Sequence, residues 1–186
     1  MYKHIPNLLT IIRFLLVPVF LYFLILSETL NRISIALLIF LVASFTDYLD
    51  GMLARKWKVI SDFGKIMDPL ADKLLVISAL AGITWLPPIS LSKVIFFIIL
   101  GRELVVTVLR EIYQKKGIVL AADKLGKLKT VMQMAGLIVA YLCWAFFTPI
   151  SATVITILNI WFWLVVLITL LSGLNYIKVL FNWRKP

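Results

Sequence analysis

Six long apolar segments, separated by short polar or proline-containing breaks, restrict the fold of this chain more than any other feature. A helix needs about 20 consecutive, mainly apolar residues to cross a bilayer. The sequence predicts such helices over residues 5–26, 33–56, 64–86, 91–114, 124–147 and 152–180. Pro87-Pro88 and Thr148-Pro149 mark the ends of the third and fifth helices, because proline lacks the backbone N–H that a helix needs. We therefore predict an all-α integral membrane protein with six transmembrane helices, forming a single domain over residues 1–186.

The distribution of Lys and Arg predicts how these helices are oriented. Most basic residues between the apolar segments fall on one side of the bilayer, whereas the other side receives only Arg32 and Lys93. Cytoplasmic loops are enriched in Lys and Arg, so both termini are predicted to be cytoplasmic. This asymmetry, together with attraction to anionic lipids, accounts for the net charge of +10. The expected partners are therefore membrane lipids and not nucleic acid.

Four carboxylates interrupt the apolar pattern. Asp47 and Asp50 lie near the end of the second predicted helix, and Asp68 and Asp72 lie in the third. An ionisable group within a membrane segment costs several kcal/mol, so such groups are usually functional. At about 100° per residue each pair shares a helix face, and a short cytoplasmic loop joins the two helices. We expect the four carboxylates to converge there, although one such aspartate alone would more simply cap a helix or pair with a nearby cation.

The residue types available restrict what this cluster can bind. The chain has one cysteine, Cys143, and one histidine, His4, which excludes an internal disulfide, a Cys-cluster metal site and a Ser-His-Asp triad. Carboxylate oxygens favour hard cations such as Mg²⁺ or Mn²⁺, and more than three carboxylates can hold two ions. The alternative function for this acidic cluster, from a different class of protein, is a divalent-cation or proton transporter. Its acids should lie near the bilayer midplane, whereas these are predicted at the cytoplasmic edge, which favours an enzyme.

The spacing of the acidic segment is similar to a family signature. The matching pattern is Asp47-x-x-Asp50-Gly51-x-x-Ala54-Arg55, eight further residues, and Gly64-x-x-x-Asp68-x-x-x-Asp72. It resembles the signature of the CDP-alcohol phosphotransferases at every fixed position. The Pro-Asn-x-x-Thr-x-x-Arg pattern of the first helix, which contains Asn7, Thr10 and Arg13, also resembles that family. Because Arg13 lies two turns into an apolar helix, we expect it to face the interior of the protein.

The resemblance implies a bacterial inner-membrane enzyme that transfers a phosphatidyl group from CDP-diacylglycerol to an alcohol and releases CMP. It implies that Asp47, Asp50, Asp68 and Asp72 hold two Mg²⁺ or Mn²⁺ ions, and that Asp72 is also the general base. It implies nucleotide and CDP-diacylglycerol contacts from Asn7, Thr10, Gly51, Ala54, Arg55 and Ser61. It further implies a homodimer with a cytoplasmic active site.

Basic residues on the fourth and fifth helices indicate the acceptor. We expect Arg102, Arg110 and Lys127 to contact an acceptor that carries a phosphate, because cationic donors bind phosphate oxygens strongly. We interpret Lys115, Lys116, Lys124 and Lys129 as ordinary residues of a positive cytoplasmic loop. The segments around Arg102 and Lys127 look similar to the glycerol 3-phosphate-using branch of the family, whose product is phosphatidylglycerophosphate. An inositol phosphate or another alcohol is the alternative acceptor.

Overall fold

The computed structural model describes residues 5–29, 31–57, 62–115 and 124–183. Side chains are described for residues 11–29, 31–46, 52, 70, 71, 73–113 and 124–174. The described chain folds into six helices and contains no strand. The helices are α1 Ile5–Leu21, α2 Arg32–Trp57, α3 Asp62–Trp85, α4 Lys93–Lys115, α5 Lys124–Phe146 and α6 Ala152–Trp183. The all-α prediction is therefore confirmed, and each predicted helix is present.

Local signals set the ends of these helices. The turn after α3 contains Pro87 and Pro88, and Pro149 lies between α5 and α6. The first predicted helix ends differently, because α1 continues as a π-helical segment, Tyr22–Leu26. Its last turn is closed by a hydrogen bond from the Ser27 N–H to the Tyr22 carbonyl oxygen, at 3.0 Å.

Two of the described segments have both the length and the apolar composition needed to cross a membrane. They are Lys124–Phe146 and Ala152–Leu174, in α5 and α6. The apolar segments of α1, α2 and α3 are shorter, at Ile11–Leu26, Arg32–Thr46 and Lys73–Trp85. These lengths refer to the described side chains only. Six spans, and the orientation of the termini, stay predictions.

A first compact unit contains α1, α2, α3 up to Ile83, and residues 138–149. α1 packs along α2, and an aromatic cluster of Phe20, Phe40 and Tyr141 forms the core. The ring centroids of Phe20 and Tyr141 are 5.9 Å apart, and those of Phe40 and Tyr141 are 6.3 Å apart. The Tyr141 hydroxyl donates to the Ala79 carbonyl oxygen at 3.0 Å, which ties the end of α5 to α3.

A second compact unit contains residues 84–137 and 150–186. In this unit α4 packs against α6, and the first half of α5 is joined to α6 through Trp161. The indole Nε1 of Trp161 donates to the Met132 carbonyl oxygen at 3.0 Å. A side chain at Gly136 would overlap Trp161 and meet Phe162 at 3.1 Å, so the glycine permits this close helix contact. The single domain over residues 1–186 stays a prediction.

Large apolar side chains are exposed along much of the described surface. On α6, Leu164, Leu167 and Leu171 are exposed, while Phe162, Val165 and Val166 on the opposite face are buried. Contiguous apolar surface of this kind is unusual on a soluble protein and indicates contact with lipid or with another protein. This surface agrees with the membrane association expected from the sequence.

Candidate active site

The four aspartates of the signature lie on helical backbone. Asp47 and Asp50 belong to the last third of α2, and Asp68 and Asp72 belong to the first half of α3. Residues three or four positions apart in a helix share a face, so the backbone supports the predicted pairing within each helix. The side chains of these aspartates lie outside the described residues, and their convergence stays a prediction. Among the side chains that the structure does describe, no group of three His, Cys, Asp or Glu residues could hold a metal ion.

The predicted nucleotide contacts also fall outside the described side chains. Asn7 and Thr10 are in α1, and Gly51, Ala54 and Arg55 are in α2, with only their helical backbone described. Ser61 lies wholly outside the described residues. Their roles stay predictions.

Arg13 on α1 is fully buried, with an exposed fraction of 0%. The prediction that this residue faces the interior is therefore confirmed. A buried guanidinium is costly unless it is paired and hydrogen-bonded, so an arginine is rarely placed here for packing alone. Arg13 lies three residues after Thr10, which places the two on one face of α1.

An ion network joins three helices of the second unit. The Glu103 carboxylate on α4 accepts from the Arg102 guanidinium at 3.2 Å and from the Lys129 ammonium on α5. The other end of the guanidinium donates to the Ser172 hydroxyl on α6 at 2.5 Å. These four side chains, Arg102, Glu103, Lys129 and Ser172, are called the ion network below. Among the described side chains it combines two cations with one carboxylate.

Small residues make room for the long side chain of Arg102. A Cβ added at Gly173 on α6 would lie 3.6 Å from its Cγ, and one at Gly126 on α5 would lie 4.0 Å from its Nη2. Anything larger than alanine at Gly173 would compete with the arginine stem for this space. The two glycines therefore position Arg102 by leaving space for it, while Glu103 and Ser172 hold its guanidinium.

The three predicted acceptor residues differ in how deeply they are buried. The Arg102 side chain is mostly buried within the ion network, whereas Arg110 on α4 and Lys127 on α5 are exposed. The interpretation of Lys129 as an ordinary loop residue is wrong. Lys129 lies within α5, is only 4% exposed and pairs with Glu103.

Sequence reasoning missed Lys129, Ser172 and the buried residue Gln133, although part of the signal was present. Lys129, Gln133 and Leu137 are spaced four residues apart on α5, and all three are buried. A polar residue four positions away from a buried apolar residue lies on the same buried face of the helix. This periodicity would have placed Lys129 and Gln133 in the interior.

A cavity of about 550 Å³ lies between α4 and α6 in the second unit. Its walls are mainly apolar and include Phe97, Val105, Leu170 and Leu174. Among the described lining residues, Arg102 is the charged one. The cavity suits hydrocarbon better than a polar ligand, because its apolar walls offer few hydrogen-bond partners.

Comparison with known proteins agrees with the signature. The family model for CDP-alcohol phosphatidyltransferase matches residues 3–171. A Rickettsia typhi protein named CDP-diacylglycerol–glycerol-3-phosphate 3-phosphatidyltransferase is 34% identical over 176 residues, which cover 95% of this chain and 96% of that protein. A Bacillus subtilis protein of the same name is 32% identical over 195 residues, covering 97% and 96%. A Cereibacter sphaeroides protein of the same name is 40% identical over 150 residues, covering 74% and 63%. The chain belongs to the CDP-alcohol phosphatidyltransferase family, as the acidic signature predicts.

Proposed function

We propose that this protein transfers the phosphatidyl group of CDP-diacylglycerol to glycerol 3-phosphate, forming phosphatidylglycerophosphate and CMP in phospholipid biosynthesis. One observation carries the proposal. Relatives from Rickettsia typhi and Bacillus subtilis are both named for this reaction. Each alignment covers nearly the whole of this chain and nearly the whole of the relative. The complete acidic signature and the buried cations of the second unit support it.

The reaction is a phosphoryl transfer between two oxygens. A hydroxyl oxygen of glycerol 3-phosphate attacks the phosphorus of the phosphatidyl group, and the bond from that phosphorus to the CMP oxygen breaks. CMP leaves with the electron pair of that bond. The Asp72 carboxylate accepts the hydroxyl proton as general base, and such positioned proton transfer contributes typically about 10²–10⁴-fold to the rate.

Divalent metal binding is part of the proposal. Asp47 and Asp50 on α2, with Asp68 and Asp72 on α3, would hold two Mg²⁺ or Mn²⁺ ions. The donor set fits such ions, because it consists of carboxylates at helix spacings of three and four. When bound, the ions neutralise the pyrophosphate and the departing CMP.

The other residues of α1 and α2 bind and orient CDP-diacylglycerol in this proposal. Gly51 and Ala54 have small side chains, which lets the nucleotide approach the helix backbone closely. Arg55 offers a planar fork of donors suited to phosphate oxygens. Asn7, Thr10 and Ser61 complete these contacts.

The acceptor phosphate is assigned to Arg102, Arg110 and Lys127. Arg102 lies in the ion network, and its guanidinium carries charged donors of the kind that bind phosphate oxygens. Arg110 and Lys127 are exposed and could close on the phosphate from the aqueous side. The same positive charge would attract an inositol phosphate, so the acceptor must be tested by competition.

A membrane location follows from the lipid substrate and from the apolar helices. We propose six spans in the bacterial inner membrane, with both termini and the active site cytoplasmic, and a homodimeric assembly. This arrangement lets glycerol 3-phosphate arrive from water while the diacylglycerol chains stay in lipid.

A CMP-release assay tests the proposed function. Purified protein in detergent micelles receives CDP-diacylglycerol and MgCl₂, together with glycerol 3-phosphate, inositol 3-phosphate or a buffer blank. We expect rapid CMP release with glycerol 3-phosphate only, loss of release in excess EDTA, and recovery when Mg²⁺ or Mn²⁺ is added back. If only inositol 3-phosphate supports CMP release, the assignment of glycerol 3-phosphate as acceptor is wrong. If no alcohol phosphate supports CMP release, the proposed enzymatic activity is wrong.

A further inference from the structure

Among the buried polar atoms of the second unit that have no hydrogen-bond partner among the described residues, two lie on α5 and α6. They are Oε1 of Gln133 on α5 and Oγ1 of Thr169 on α6. Gln133 is 2% exposed and Thr169 is 0% exposed. Leaving such an atom unsatisfied is more costly than replacing it with an apolar group of the same shape. Buried polar atoms of this kind call for a partner such as an ordered water or a ligand group.

Both atoms are close in sequence to the ion network. Gln133 follows Lys129 by four residues on α5, so the two side chains share a face. Thr169 precedes Ser172 by three residues on α6, and the Ser172 hydroxyl donates to the Thr169 carbonyl oxygen at 3.2 Å. Each unsatisfied atom thus lies about one helical turn, roughly 5 Å, from the ion network along its own helix.

Contacts within the second unit show that α5 and α6 run in opposite directions. Arg102 lies close to Gly126, near the start of α5, and to Gly173, in the second half of α6. Further along α5, Gly136 meets Phe162, which comes earlier in α6. A later position on α5 therefore faces an earlier position on α6.

This antiparallel arrangement places Gln133 and Thr169 on the same side of the ion network. Moving from Lys129 to Gln133 on α5, or from Ser172 back to Thr169 on α6, leads towards the contact between Gly136 and Phe162. By the same pairings Thr169 is level with Lys129, and Gln133 lies about one turn, roughly 5 Å, further towards that contact. Hydrogen-bonding atoms therefore continue from the charged groups towards the packed aromatic contact.

This region has the chemistry of a phosphorylated polyol. A phosphate matches the cations, and a hydroxyl between the levels of Thr169 and Gln133 matches the two unsatisfied atoms. The Oε1 atom of Gln133 can only accept a hydrogen bond, so its partner must donate, as a hydroxyl group does. Thr169 Oγ1 can donate to the same hydroxyl oxygen or accept from it.

We propose that Gln133 and Thr169 bind the central hydroxyl of glycerol 3-phosphate and select this acceptor over alcohols that lack it. This inference rests on the proposed function, in which a terminal hydroxyl forms the new ester and the central hydroxyl does not react. A site built to hydrogen-bond a substrate hydroxyl rejects an analogue without it, because buried polar groups are then left unpaired.

A comparison of two acceptors tests this assignment. 3-Hydroxypropyl phosphate keeps the phosphate and the terminal hydroxyl of glycerol 3-phosphate but lacks the central hydroxyl. We expect the wild-type protein to favour glycerol 3-phosphate in kcat/KM by about tenfold or more, the size expected for a lost buried hydrogen bond. In Gln133→Met and in Thr169→Val this preference should fall to within about twofold, because activity with glycerol 3-phosphate drops while activity with the analogue is kept.

Thermal stability separates recognition from a structural role. Both substitutions replace an unsatisfied polar atom with an apolar one of similar shape, so the apparent melting temperature should stay the same or rise. Thr130→Val is the matched control, because Thr130 is exposed on α5 and its hydroxyl bonds only to the Gly126 carbonyl oxygen of its own helix. It should keep the full preference for glycerol 3-phosphate.

Folded Gln133→Met and Thr169→Val that both retain the wild-type preference would overturn the assignment. A lower melting temperature with equal losses for both acceptors would also overturn it, in favour of a structural role. If Gln133→Met does not fold, Thr169→Val decides between these outcomes. Failure of the wild-type protein to release CMP with glycerol 3-phosphate would instead overturn the proposed function, which is a separate result.

Discussion

Glu103 is a mostly buried carboxylate that lies between two cations, with a side-chain exposure of 18%. Arg102 and Lys129 both bind its Oε1 atom, and Lys129 is itself buried. Within apolar surroundings a cation without its counter-charge is costly, so these side chains depend on one another. The network therefore contributes to the stability of the second unit as well as to the charge available for an acceptor.

Substitution of Glu103 should reveal this dependence. In Glu103→Gln the amide can still accept a hydrogen bond but loses the negative charge, and we expect a loss of about 1–3 kcal/mol in the free energy of unfolding. Unfolding in detergent, followed by circular dichroism, measures the effect. Glu111→Gln is the matched control on the same helix, because Glu111 is exposed and its substitution should change stability little. Equal stability of the two variants would contradict the role of Glu103.

The assigned base can be tested in the same way. Asp72→Asn keeps the size of the side chain but cannot accept the hydroxyl proton, so CMP release should fall by at least about 100-fold. Glu28→Gln, an exposed carboxylate in the segment between α1 and α2, should leave the rate unchanged. Wild-type activity in Asp72→Asn would remove Asp72 from the mechanism.

At the scale of single residues, the sequence predicted chemistry better than position. The four aspartates could be picked out because carboxylates are rare in an apolar chain and because their fixed spacing matches a family signature. Lys129 was assigned to the wrong environment, since its burial depends on which face of α5 meets α4 and α6. Gln133 and Thr169 carry no charge, so nothing distinguished them until their burial was known.

At the scale of helices, glycines decide how closely neighbouring elements approach. Gly82 on α3 lies against the Tyr141 hydroxyl and the Leu24 side chain, and an added Cβ would overlap both. The hydroxyl cannot easily move, because it donates to the Ala79 carbonyl oxygen. Close packing in the first unit therefore depends on the absence of a side chain at position 82.

The same substitution at two helical glycines should have opposite effects. Gly82→Ala overpacks the first unit and should lower the free energy of unfolding by about 1–3 kcal/mol. Gly101→Ala on α4 has nothing within 4 Å of the added Cβ. It should raise the free energy of unfolding by about 0.5–1 kcal/mol, because alanine favours a helix over glycine. Thermal denaturation of the two variants beside the wild type measures both changes, and a shift of the same sign would contradict the packing at Gly82.

The helices themselves could be predicted because their limits are set locally. Prolines, short polar turns and the lengths of apolar runs placed the ends of α2, α5 and α6 within a few residues. The π-helical segment after α1 has no comparable local signal. The division of α5 between two compact units also lies beyond such reasoning, since it depends on long-range packing.

At the scale of the whole molecule, the exposed apolar side chains and the asymmetry of positive charge indicate a membrane-associated protein. Both properties follow from composition and order along the chain, so the sequence alone predicts them. The number of spans depends on how far α1, α2, α3 and α4 enter the bilayer. Reporter fusions address this directly.

A fusion after Pro186 should place the reporter in the cytoplasm, and an insertion after Pro88 should place it on the opposite side. Green fluorescent protein and alkaline phosphatase serve as the two reporters, in separate fusions. After Pro186 we expect fluorescence and no phosphatase activity, and after Pro88 we expect phosphatase activity and no fluorescence. Active alkaline phosphatase after Pro186 would contradict the predicted orientation of the C-terminus, and fluorescence after Pro88 would contradict the predicted number of spans.

α6 contains 32 residues and is therefore about 48 Å long at roughly 1.5 Å per residue. A typical hydrocarbon core is about 30 Å thick, so this helix must tilt or extend into the headgroup region. The first charged residue of α6 is Lys178, six residues after Ser172, and the ion network lies towards that end. A thicker bilayer would draw this end of α6 towards hydrocarbon, and a thinner one would release it towards water. We therefore expect the polarity around the ion network to depend on the thickness of the surrounding bilayer.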